Sequence, residues 1–132
     1  MTTQMENKTR VAIVVLSDPD SKSEEGLGRV FNALATAYDY KNAGDTVTIL
    51  FQGAGTRWIG ELQKEDNPVH ALFEAVKDDI AGVSCGCADV FGGGEAAKKS
   101  GYDLVKDNAV PGTSGLPSLR RLVNEGYTVF TF

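Results

Sequence analysis

Apolar residues recur along this chain in two rhythms. Val11-Ala12-Ile13-Val14-Val15-Leu16 is unbroken and rich in β-branched residues. Such a run marks a strand covered on both faces. It stops at Ser17-Asp18-Pro19-Asp20, which is turn chemistry. The period then changes. Leu27, Val30, Phe31, Leu34 and Tyr38 recur at spacings of three and four, predicting a helix with one apolar stripe. Ser21 and Glu24 have the form of a capping box at its start, and Gly44 stands where a helix-ending glycine belongs. Gly26 and Gly28 sit early in this helix, each at a cost of about 0.5–1 kcal/mol against alanine. Two readings stand for them: tolerance near a helix end, or close approach of another segment to the backbone.

The alternation continues to the last residue. Val47-Thr48-Ile49-Leu50-Phe51 reads as a second buried strand, ending in the loop Gln52-Gly53-Ala54-Gly55-Thr56-Arg57-Trp58. Asn67 as cap and Pro68 at the first helical position open a helix with the stripe Val69, Leu72, Phe73, Val76 and Ile80. A short strand from Ile80 to Ser84 leads straight into Cys85-Gly86-Cys87 and a turn of helix. Gly92-Gly93-Gly94 is a break, and Glu95 to Lys99 a brief helix. Tyr102 to Val105 is a weaker strand, and Pro111-Gly112-Thr113-Ser114-Gly115 a loop. Leu116 to Glu125 predicts a helix with Leu119, Leu122 and Val123 inward, and Tyr127 to Phe132 a final strand.

Strands alternating with helices call for right-handed crossovers and an α/β sandwich of three layers. We expect a parallel sheet of about five strands with helices on both faces. Ligands in such folds bind beyond the carboxyl ends of the strands. Ser17-Asp18, the Gln52–Trp58 loop and the Cys85–Cys87 turn gather on that edge. Residues 1–10 read as a flexible lead-in and residues 11–132 as one domain.

Composition narrows the partners. The 132 residues carry a formal net charge of −5, which disfavours nucleic acid as a partner. No apolar run approaches the roughly 20 residues of a membrane span, and the N-terminus lacks a signal peptide's apolar core. The expected location is cytoplasmic. Two cysteines and one histidine, His70, fall short of the four Cys/His ligands of a structural zinc site, so a structural zinc within one subunit is not expected.

Gly53-Ala54-Gly55 follows a strand as a dinucleotide fingerprint does, but Trp58 stands at the third glycine position. The loop is either a tight turn with a surface arginine, or an anion site using its backbone N–H groups and Arg57, with Asp18, Gly53, Gly55 and Gly86 as the other ligand-binding candidates on that edge. The cysteine turn is the most informative feature. A thiol at a helix N-terminus faces the positive end of the macrodipole, which favours the nucleophilic thiolate. Gly86 lets the backbone bend between the two sulfurs, and Asp89 either opposes the effect or orients the turn. Cys87, deeper in the helix start, is expected to gain more from the local N–H groups. The plain alternative is two small buried residues. His70 is a possible base or a structural residue; Trp58 stacks a ligand, fills a hydrophobic gap or meets another subunit.

Val11–Leu16, Phe31-Asn32-Ala33-Leu34, Gly44-Asp45-Thr46-Val47, Cys85-Gly86-Cys87-Ala88-Asp89 and Glu125–Phe132 together resemble the DsrE/DsrF-like family, which includes the sulfur-relay Tus proteins. The resemblance covers nearly the whole chain. It implies a flavodoxin-like sandwich and a protein that passes sulfane sulfur through a cysteine persulfide. Cys87 becomes the carrier, Cys85 a resolving thiol able to close a strained disulfide across Gly86, and donor and acceptor proteins the partners. Family members commonly assemble as trimers or hexamers, so a homo-oligomer is expected, with Trp58, Phe91 and the terminal strand as contacts. Two other readings stay open: a non-catalytic module holding a small anion or nucleotide over Gly53, Gly55 and Arg57, and a thiol redox sensor.

Overall fold

The computed structural model describes residues 8–21 and 23–132. Five strands form one sheet: β1 (Arg10–Val15), β2 (Thr46–Phe51), β3 (Ile80–Ser84), β4 (Asp103–Val105) and β5 (Tyr127–Thr131). Their order is β4-β3-β2-β1-β5 and every pairing is parallel. β1 and β2 run in register from Arg10 opposite Thr46 to Val15 opposite Phe51. Side chains alternate across the pleat. Ile13, Val15, Ile49 and Phe51 enter the larger core, while Ala12 and Leu50 meet Leu119 and Leu122 on the other side. Both faces are covered, which is why the strands are written as unbroken apolar runs.

The helices are α1 (Glu25–Asn42), α2 (Trp58–Leu62), α3 (His70–Val76), α4 (Cys85–Phe91), α5 (Gly94–Lys99) and α6 (Leu119–Asn124). α1 buries Gly26, Val30, Ala33, Leu34 and Ala37 against the sheet. Phe31 and Tyr38, expected in this stripe, are 52% and 44% exposed. At 100° per residue they share one flank of the helix, while the alanines let its axis sit close to the strands. The expected capping box does not form. Ser21 Oγ donates to the Ser23 carbonyl, and Ser23 Oγ accepts the Glu25 N–H. The two early glycines separate. A Cβ on Gly26 would stand 2.3 Å from the Asp18 carbonyl oxygen, whereas Gly28 has open space.

Other elements differ in extent. Asn67 Oδ1 accepts the Val69 N–H as a cap should, but the helical run begins at His70. α6 is shorter than the expected Leu116–Glu125 because Leu116 pairs with Asn108 in an antiparallel bridge. Ser118 Oγ caps α6 by accepting the Arg121 N–H, and Val123, expected inward, is 57% exposed. Residues 1–7 of the expected lead-in lie outside the described residues. The remainder is tied down: Lys8 Nζ donates to the Gly44 carbonyl, Thr9 N–H donates to Asp45 Oδ1, and Arg10 opens β1. Among the described residues, no helix is long and apolar enough to cross a membrane.

Candidate functional site

Three strand ends converge at the carboxyl edge of the sheet. β1 runs into Ser17-Asp18, β2 into a 3-10 turn over Gly53–Arg57, and β3 into α4. Gly55 lies so close to β1 that a Cβ there would stand 2.5 Å from the Val15 carbonyl oxygen. Trp58 is buried, and its indole N–H donates to the Ser17 carbonyl at 2.8 Å. It therefore holds the β1 and β2 ends together and is available neither to stack a ligand nor to meet another subunit.

Arg57 closes the same junction. Its guanidinium donates to Asp18 Oδ1 at 2.5 Å and to the Phe91 carbonyl at 3.0 Å. Its Nε lies 3.0 Å from Asp20 Oδ2, an ion-pair distance without hydrogen-bond alignment. The Asp20 N–H, and then Arg57, hold the Asp18 carboxyl below the usual carboxylate range. The expected anion loop over Gly53, Gly55 and Arg57 thus has its cation already engaged by two carboxylates. Thr56 adds another tie, donating to the Gly92 carbonyl at 2.8 Å. His70 is also occupied. Its Nδ1 lies 2.8 Å from the Leu62 carbonyl, which only accepts, so Nδ1 carries the proton.

The thiols open α4 directly after β3. Ser84 is fully buried, and its Oγ accepts the Cys87 N–H at 3.3 Å. The Gly86 N–H donates to the Gly115 carbonyl at 2.7 Å. Two of the N–H groups expected to support a Cys87 thiolate are therefore in use. Both cysteines are free, Cys85 buried and Cys87 half-buried. Residues two apart on a helix point to different sides. Disulfide closure between Cys85 and Cys87 requires the first turn of α4 to open.

Cys85 and Asp89, four apart, share a face. Between them sits Ser114, delivered by a strap over residues 106–118. Ser114 Oγ lies 2.6 Å from Asp89 Oδ2 and 3.1 Å from Cys85 Sγ. Hydrogen bonds fix the strap at several points. Asn108 and Leu116 exchange backbone bonds of 2.7 and 3.0 Å. Asp107 accepts from Ser118 N–H and Arg121 Nε. Gly115, at φ +111°, passes so close to Lys106 that a Cβ would stand 2.7 Å from its carbonyl oxygen. Gly86 is packed under this strap, its missing Cβ 2.7 Å from Leu116 Cδ1.

Sequence reading therefore missed Ser114, which appeared only as part of a turn. Its 29-residue separation from Cys85 leaves no periodic signal. Gln52 was also missed. It and Ser84 each follow the Phe51–Val83 pair at the strand ends. Its Oε1 is buried with no hydrogen-bond partner among the described residues. No group of three or more His, Cys, Asp and Glu side chains among these residues is placed to hold a metal ion.

The chain matches the model of the DsrE/DsrF-like family over residues 9–132. It is 30% identical over 108 residues to uncharacterized protein MJ0733 of Methanocaldococcus jannaschii, an alignment covering 82% of this chain and 84% of that one. No solved structure matches.

Proposed function

This chain belongs to the DsrE/DsrF-like family, and on that premise we propose that it is a sulfur carrier passing sulfane sulfur through a cysteine persulfide. The observation that carries the reading is the Cys85-Gly86-Cys87 turn opening α4 at the carboxyl edge of the sheet. Cys87 is the loading thiol because it is the more exposed of the pair. Its thiolate attacks the outer sulfur of a donor persulfide. A new S–S bond forms, the donor's S–S bond breaks, and the electron pair leaves on the donor's thiolate. An acceptor thiolate then takes the outer sulfur by the same exchange. Asp89 and Gly86 shape the turn, and no metal or organic cofactor takes part. The protein works in the cytoplasm, where reducing conditions keep the thiols free. Its partners are donor and acceptor proteins and further copies of itself.

The test is intact-mass analysis after incubation with a persulfide donor. The unmodified chain should gain one sulfur atom. Cys87→Ser should remove most of the gain, leaving only slow loading at the enclosed Cys85, and Cys85→Ser should retain it. Equal loading of both variants overturns the assignment to Cys87, and no loading of the unmodified chain overturns the carrier reading.

A further inference from the structure

We infer that Cys85 is a second working thiol, with Ser114 and Asp89 as its proton relay to solvent. Cys85 is 9% exposed, and its sulfur has one hydrogen-bond partner among the described residues, the Ser114 hydroxyl at 3.1 Å. A thiol so enclosed loses its proton most readily through that partner. Ser114 carries a single hydroxyl proton, and an ionised carboxylate only accepts. The 2.6 Å contact therefore aims the Ser114 proton at Asp89, leaving the hydroxyl oxygen to accept S–H from Cys85. Asp89 is exposed and completes the path to water. The strap's anchors hold Ser114 in place: the Asn108–Leu116 bridge and the Gly86 N–H on the Gly115 carbonyl.

This deepens the sulfur-transfer reading and rests on it only for the electrophile, the sulfane sulfur of a persulfide. As Cys85 attacks that sulfur, its proton passes to Ser114 Oγ and the Ser114 proton passes to Asp89. The Cys85–S bond forms while the donor's S–S bond breaks. The pair leaves on the donor sulfur, which is reduced to thiolate as the Cys85 sulfur is oxidised to the persulfide level, and Asp89 returns its proton to that thiolate or to water. Ser114 and Asp89 are positioning residues, acting through Cys85.

Among the described residues, the packed elements place few other charges around the thiol. β3 has no charged residue. Arg57, on the 3-10 turn beside α4, is paired with Asp18 and Asp20. On the strap, Asp107 is paired with Arg121, and Lys106 lies beside Gly115. Glu95, Lys98 and Lys99 are on α5, which meets α4 where Gly94 faces Ala88.

Iodoacetamide alkylation of the full chain, followed separately at Cys85 and Cys87 by peptide mass from about pH 6 to about pH 9, reads the relay directly. Ser114→Ala should slow Cys85 about tenfold or more near neutral pH. The deficit should close at high pH, where hydroxide removes the proton, and Ser114→Thr should restore the rate. Asp89→Asn should also slow Cys85, with Cys87 unaffected in both variants. A faster Cys85 in Asp89→Asn would mean that Asp89 acts only as a nearby negative charge, which overturns the relay. Equal slowing of both cysteines, or a Cys85 that stays unmodified in the native chain, overturns it as well. Persulfide loading, measured in parallel, fails or succeeds independently of this signature, so loss of the carrier reading is distinguishable from loss of the relay.

Discussion

Asp18 and Arg57 join the end of β1 to the 3-10 turn after β2, and Arg57 extends the junction to the last residue of α4 through the Phe91 carbonyl. This arginine therefore has a structural task at the edge where a ligand was expected. The pH dependence follows from the direction of the Asp18 shift. An ordinary Asp titrates near 3.8, and the folded Asp18 titrates lower because the Asp20 N–H and Arg57 favour its charged form. Its contribution to stability is fully present above the ordinary value and is lost as pH falls through the folded one. Asp18→Asn lacks that component. Its melting temperature should fall less steeply than that of the native chain between about pH 5 and about pH 2.5, as thermal unfolding monitored by circular dichroism would show. The slope should remain non-zero. Asp107 is also below its usual range, since burial raises it but Arg121 and the Ser118 N–H outweigh burial. Identical slopes would mean that the Asp20 N–H and Arg57 together do not favour the charged Asp18 in the folded chain.

α1 shows how an expected stripe can be met only in part: Leu27, Val30 and Leu34 face the core as the spacing predicts, and Phe31 and Tyr38 do not. The large residues of its apolar pattern, Phe31 and Tyr38, share a flank away from the core, and the contact stripe is carried by Val30, Ala33, Leu34 and Ala37. Hydrophobic periodicity weighted towards large side chains pulls the inferred face towards that flank. Leu34 is fully buried, so Leu34→Ala should destabilise the fold by about 2–5 kcal/mol through lost burial and the cavity left behind. Phe31→Ala, on a half-exposed position, should cost well under that, within about 1 kcal/mol. Urea denaturation of the two variants separates them; a larger loss for Phe31→Ala would put the core face of α1 on the wrong side. The last helix repeats the lesson. Leu116 belongs to the strap because its backbone bonds Asn108, a partner no helical pattern announces.

The five strands hold one continuous sheet, and what remains exposed on the whole molecule includes Leu16, Phe31, Val90 and Phe91, each at least 41% open. Assembly of copies, proposed above, has these side chains to cover; Trp58, buried within its own chain, is not among them. Light scattering across micromolar concentrations should return a multiple of the 14.1 kDa chain mass, three or six copies, and Val90→Asp should lower it. A single-chain mass throughout would end the assembly proposal. The alternating runs and stripes determined the element types, the parallel α/β class and the carboxyl edge that gathers Asp18, Gly53, Gly55, Arg57 and the two cysteines. They sufficed because a two-sided buried strand and an amphipathic helix each write their burial into local spacing. Tertiary structure alone decided which groups are free at that edge. Arg57 is spent on carboxylates, Trp58 on Ser17, and the first amides of α4 on Ser84 and Gly115, while Ser114 comes to Cys85 from 29 residues away. Each of these contacts joins segments through polar groups whose partners are set by how loops cross in space, and such crossings leave no periodic trace along the chain.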